Sequence, residues 1–260
     1  MKLKIIIPFI ILILISNTGL LQSAVLQSGE FLEYNVTYLG VSIANVKIYN
    51  DGFEILNKRS VAKIRANVFT YNHIPLINAK VKMEGLVDKG GLFSHQFTRN
   101  ISLRSNPWEF QKIEFLYTQN LLKNIKWINN KVTSSKYLEF DPTYRIHDAL
   151  GLFFKARFAA TAGNSSKILT YLDEAPFYTH IRFHSKKENI SVDGVKGNVR
   201  TVYCTGSADW QKQFGITGGF EGWFSDDDAR IPLKGKLDFI IGKISIELVK
   251  YKRDGWVAPK

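Results

Sequence analysis

Several groups of side chains in this 260-residue chain are of the types that catalysis or metal binding uses. Asp226, Asp227 and Asp228, with Glu221 upstream, gather carboxylates that acid–base hydrolysis or a cation site would need. A Ca²⁺ loop, however, alternates its oxygen ligands around a glycine and ends on a distant Glu, and this run does not. His180 and His184 lie four apart. On a strand they share one face with Tyr178 and Arg182 but stand roughly 13 Å from each other, too far for one metal ion. His147-Asp148 falls at a helix start, where it reads as a cap and not as a catalytic dyad. Cys204 is the single cysteine, so no internal disulfide exists. Flanked by Tyr203 and Thr205 in a strand-like stretch, it reads as a small buried apolar residue. No Gly-x-Ser-x-Gly elbow occurs. The balance leans away from an enzyme: no catalytic residue, metal ligand or cofactor is assigned. Hydrolysis through Asp226–Asp228 stands as an alternative.

The elements that would position these residues are mostly strands. Eighteen Phe, eleven Tyr and five Trp suit a pleated, half-buried surface. Leu32, Tyr34, Val36 and Tyr38 alternate with Glu33, Asn35 and Thr37, the period of a strand with one buried face. The phase changes around Ala44, which predicts a bulge. Further strands are expected over 61–68, 79–87, 93–103, 109–117 and 124–128. After a helix they resume over 167–172, 177–183, 190–192, 199–204, 219–224, 237–241 and 244–249. Asn50-Asp51-Gly52, Lys89-Gly90-Gly91, Asn106-Pro107 and Asn129-Asn130 read as the turns between strands. Pro232 restricts its strand to a sheet edge or to a strand start.

One segment has a different period. From Ile146 to Ala160, apolar residues recur at spacings of three and four: Ala149, Leu150, Phe153, Phe154, Ala156 and Phe158. Asp148 suits the first turn and Gly163 offers a stop. The expected architecture is therefore mainly β: one large curled antiparallel sheet, barrel-like or spiral, with one amphipathic helix. No linker splits the chain, so residues 25–260 read as a single domain.

Three of these stretches, with a fourth near the start, carry a resemblance. The string Phe220 to Pro232 contains Trp223-Phe224-Ser225-Asp226-Asp227-Asp228-Ala229-Arg230 and is followed by Gly242-Lys243-Ile244-Ser245-Ile246-Glu247-Leu248. With Gly29 to Tyr34 and His147-Asp148-Ala149-Leu150, it resembles the exported family called domain of unknown function 3108. The resemblance implies an exported, β-rich protein without an established activity, so it transfers no catalytic residue. Read physically, Trp223 and Phe224 end a strand, the aspartates form a turn, and Arg230 is placed to pair with one of them.

The N-terminus sets the expected compartment. Lys2 and Lys4 precede an apolar run, Ile5 to Ile15, of signal-peptide length and too short to span a bilayer. Residues 1–24 are therefore expected to be a secretion signal, placing the rest in the periplasm or cell envelope. A net charge of +12 favours anionic surroundings. Export puts nucleic acid last among them and leaves peripheral membrane contact open. The function expected is non-catalytic: binding a lipid or other amphiphile, or maintaining the envelope. Phe153, Phe154, Phe158 and Trp223 would line the ligand, and Asp226, Asp228 and Arg230 would form a polar rim. A scaffold for an envelope protein partner is the alternative.

Overall fold

The computed structural model describes residues 24–71, 79–103, 108–209, 216–239 and 242–260. The expected signal segment up to Ser23, the Asn106-Pro107 turn and the end of the 237–241 strand lie outside the described residues. Eight strands come first: β1 (Phe31–Tyr38), β2 (Val41–Leu56), β3 (Arg59–Thr70), β4 (Ala79–Asp88), β5 (Ser94–Leu103), β6 (Glu109–Leu116), β7 (Leu121–Ile128) and β8 (Lys131–Glu139). Helix α1 (Ala149–Ala159) follows. Then come β9 (Ser165–Leu172), β10 (Ala175–Val192), β11 (Val195–Ala208), β12 (Ile216–Ser225), β13 (Pro232–Phe239) and β14 (Lys243–Lys252).

All fourteen strands form one sheet in the order 8-7-6-5-4-3-2-1-14-13-12-11-10-9. Every neighbour is a sequence neighbour except the central pair, β1 with β14, which is antiparallel like the rest. The chain thus runs out from the middle along one wing, crosses through α1, and returns along the other wing. Hairpin chemistry explains the meander. Leu39-Gly40, Asn57-Lys58 and Asn129-Asn130 all have φ > 0 at both positions, the two-residue turn whose twist matches that of the strands. The bulge expected near Ala44 is present, because Val36 pairs with Ala44 while Thr37 pairs with Ser42.

One local expectation is corrected, and one strand lies outside those expected. Asn50-Asp51-Gly52 does not end a strand: β2 runs through it, with Asn50 opposite Ile64 and Phe53 opposite Ala62. The Asn50 side-chain oxygen accepts from Gly52 N at 3.0 Å, and Gly52 takes φ 113, so the turn chemistry yields a bulge inside a paired strand. Strand β8 had no alternating signal because it is an edge, exposed along nearly its whole length.

The outer strands β8 and β9 do not pair with each other, so the barrel stays open. Polar side chains tie the wings together instead. At the β9–β10 turn, Asp173 accepts from Lys126 (2.6 Å) and Arg99 (3.0 Å), and Glu174 from Lys136 (2.6 Å). The segment Ile146–His147 also bridges them: Ile146 O accepts from Ser94 N of β5, and His147 N donates to Leu169 O of β9. The main core fills the curl beneath this seam, with Leu32, Ile64, Leu122, Phe154, Ile231 and Leu248 fully buried.

Candidate functional site

Helix α1 lies inside the curl and organises the chemistry-bearing residues. Asp148 caps it, its Oδ1 accepting from Leu150 N (2.7 Å) and Gly151 N (2.8 Å). The one helix is present, but apolar side chains surround nearly all of it where the sequence predicts an amphipathic helix, because it is enclosed on several sides. Phe154 and Leu150 go into the core, and another side faces a gap.

That gap is a partly open cavity of about 470 Å³ with an overwhelmingly apolar lining. Leu152 and Phe153 of α1 form one wall, and Phe220 and Phe224 of β12 face them. Gly222 and Gly235, paired across β12 and β13, leave the floor without side chains. A Cβ at Gly235 would meet nothing nearer than 3.8 Å. The space is therefore built by an absence of side chains on the sheet, which aromatic counting along the sequence does not detect. Cys204 also lines it, and burial pushes its thiol up to about 12, which leaves no thiolate at neutral pH.

The expected ligand-lining residues separate in three dimensions. Phe153 borders the cavity. Phe154 is fully buried core instead. Phe158 packs under Arg230, with the guanidinium 5.9 Å from its ring. Trp223 lies on the opposite face of β12 from Phe224, because neighbouring strand residues alternate. There it packs tilted against Tyr203, donates to Glu188 Oε2 at 2.8 Å and lies under Lys236.

The expected polar rim disperses as well. Asp226 holds Lys187 and Arg200, each at 2.7 Å. Burial would raise its carboxyl, but those hydrogen bonds outweigh it and hold the group below the usual range. Asp227 accepts from Ser225 Oγ (2.7 Å), Arg230 N (3.0 Å) and Trp256 Nε1 (2.7 Å). Asp228 is exposed. Arg230 makes no side-chain ion pair with the aspartates, contrary to expectation. Its guanidinium donates to Phe158 O at the end of α1, because its left-handed backbone (φ 46) turns the side chain toward the helix. The three carboxylates therefore serve different partners and do not converge on one reacting atom. Among the described residues no group of three His, Cys, Asp or Glu is arranged to hold a metal. His180 is exposed, and His184 stacks on Tyr203 beside Thr205 Oγ1.

The helix C-terminus holds a charged cluster that the sequence did not indicate. Arg157, fully buried, donates to both carboxylate oxygens of Glu30 (2.7 and 3.0 Å) and to Ala229 O (2.9 Å). Arg253 also binds Glu30. Burial alone would raise the Glu30 carboxyl, but the two guanidiniums hold it below its ordinary value. The string Ser225–Ile231 and the element Gly29–Glu30 thus meet at one clamp on α1. A sequence signal existed only as an arginine on an apolar helix face.

An open fourteen-stranded antiparallel sheet curled about one helix, with a partly open apolar cavity between them, defines a barrel-like protein. The chain belongs to DUF3108, a family described as protein of unknown function, which matches residues 33–249. Among solved structures it is similar to a β-barrel-like protein of domain of unknown function DUF1849 from Brucella abortus. The TM-score is 0.54 at 11% identity, covering 87% of this chain and 98% of that one. A Bacteroides fragilis protein of YmcC-like fold, inferred to be exported, matches with TM-score 0.40 and 8% identity over 87% of this chain and 97% of its own. No curated protein matches the chain.

Proposed function

We propose that the chain is an exported envelope protein that holds the apolar part of a lipid or other amphiphile in the cavity between α1 and strands β1, β2 and β10–β14. The observation that carries this reading is the cavity itself. About 470 Å³ of apolar-walled space is of ligand-pocket size, and a folded core ordinarily closes such a gap. The signal-like N-terminus, Lys2 to Ala24, supports the compartment.

The test is to fill the floor. Gly235→Leu adds a side chain at the cavity floor, where its Cβ makes only ordinary contacts, with Glu221 O at 3.8 Å and Ile246 Cβ at 4.0 Å. Titration with a fluorescent fatty acid should saturate the unmutated protein and fail with the variant, while circular dichroism stays unchanged. If the unmutated protein binds no apolar probe, the reading is lost. A second reading, an envelope scaffold, draws on β8. This is an unpaired edge that exposes Val132 and Tyr137 and could accept a partner's strand. Co-purification of a second chain that is lost on a Val132→Pro change would favour it.

A further inference from the structure

A second depression, of about 560 Å³, lies beside the N-terminal end of α1, and unlike the apolar cavity it mixes charged and aromatic side chains in its lining. Three cations border it from three different elements: Arg145 before the helix, Lys155 on α1 and Lys167 on β9. Tyr144 and Tyr178 complete the wall, and no carboxylate is among the residues that line it. None of the three cations forms an ion pair among the described residues. Lys167 lies over the Tyr178 ring at 3.9 Å and Lys155 over Phe158 at 5.3 Å, while Arg145 lies over Phe93 at 5.4 Å and donates through one amino group to Pro142 O (2.8 Å) and Tyr144 O (2.9 Å). Positive charge converging without counter-charge favours an anion.

His147 is the depression's buried polar member, and it selects among anions. The residue is 4% exposed, and its Nε2 has no hydrogen-bond partner. Its Nδ1 is 3.1 Å from Leu169 O. A carbonyl only accepts, so Nδ1 carries the proton in the neutral ring and Nε2 presents a lone pair. Burial, reinforced by Lys155 nearby, pushes His147 down to about 4, against a smaller opposing effect of the Leu169 carbonyl, so the ring is neutral at ordinary pH. A buried acceptor among cations is a mixed demand. It is met by an anion that also carries an O–H.

We propose that this cleft binds a phosphate group that retains a proton, its P–O–H donating to His147 Nε2 and its anionic oxygens facing Lys155, Lys167 and Arg145. Inorganic phosphate and the monoanion of a phosphomonoester both satisfy this demand. Sulfate and phosphodiesters carry the charge without the proton. The same group could arrive free or as a lipid headgroup, and the two sources are separable.

Calorimetry of the full protein with inorganic phosphate and with sulfate, at equal ionic strength and neutral pH, tests the claim. Phosphate should bind about tenfold or more tightly than sulfate, the value of one charge-assisted hydrogen bond. Lys155→Gln with Lys167→Gln should abolish phosphate binding and lower the melting temperature only slightly, because each lysine holds a cation–π contact and no ion pair. His147→Gln should weaken phosphate toward the level of sulfate. Vesicles of phosphatidylcholine containing phosphatidate, compared with phosphatidylglycerol, identify the source. Retention on phosphatidate alone, competed by free phosphate, assigns a headgroup, whereas phosphate binding without vesicle binding assigns the free ion. Equal affinity for phosphate and sulfate, or no phosphate binding at millimolar concentration, overturns the proposal.

Discussion

The two ends of α1 are built on opposite principles. At the C-terminal end nearly every charge has a partner: Glu30 with Arg157 and Arg253, Arg230 with Phe158 O, Asp227 with Ser225, Arg230 N and Trp256. At the N-terminal end, His147 Nε2 and Asp148 Oδ2 are buried without partners, and the three cations of the depression have no carboxylate among the residues that line it. Buried polar groups are ordinarily satisfied. Arg157 Nε is the exception at the first end. That end, with its charges otherwise paired, reads as architecture, and the other as a place prepared for something else. The acidic string that looked most like chemistry in the sequence belongs to the first kind.

The sharpest way to break this contrast is to open the clamp. Arg157→Met strands Glu30 in the core beside Arg253 alone, and the expected loss is about 3–5 kcal/mol in urea unfolding. Because the Glu30 carboxyl is held below its ordinary 4.5, its contribution is present above that value and is lost as pH falls through the folded value. The variant should therefore lose less stability on acidification than the native chain. A loss under about 1 kcal/mol would show that the clamp is incidental.

A smaller effect is expected at the other end. Asp148→Ala removes the cap and should cost about 0.5–2 kcal/mol, whereas Asp148→Asn retains an acceptor. Burial raises Asp148 from 3.8 to about 6, against the opposing hydrogen bonds from Gly151, Ser94 and Leu150. Its favourable contribution is thus full below 3.8 and fades as pH rises through about 6. The Asn variant should gain on the native protein in thermal melts taken from about pH 4 to about pH 7. A constant difference would place Asp148 near its ordinary value.

The smallest effect tests the acidic string. Asp226→Asn breaks half-exposed pairs to Lys187 and Arg200 and should cost about 0–1 kcal/mol. Loss of biological function with an unchanged melting curve would return a site to that string.

The sequence made the strands and the helix legible because their signals are local. Alternation marks β1, the three-and-four spacing marks α1, and Asp148 announces its start. Pro232 at the first position of β13 follows from proline's missing N–H. What stayed hidden is non-local. Arg157 meets Glu30 across 127 positions and Ala229 across 72, so no window contains the clamp. Arg230 was assigned to its nearest aspartates because its actual acceptor, Phe158 O, is also 72 positions away. The cavity depends on Gly222 facing Gly235, a cross-strand pairing that only register reveals. Trp223 could have been placed outside, since alternation from Phe220 to Phe224 already puts it on the other face.

The β1–β14 pairing at the centre of the sheet also governs how the chain can acquire its structure. Gln27 donates to Asp254 O at 3.0 Å, and Arg253 to Ala24 O, so the first and last described segments are bound together at the middle strands. As the chain emerges from its N-terminal side, β1 has β2 but leaves its other edge open until β14 arrives. Folding therefore closes a loop of more than two hundred residues as a late event, the high-contact-order regime in which assembly is slow and open edges attract one another. Such a chain gains from a holdase that shields that edge during its synthesis.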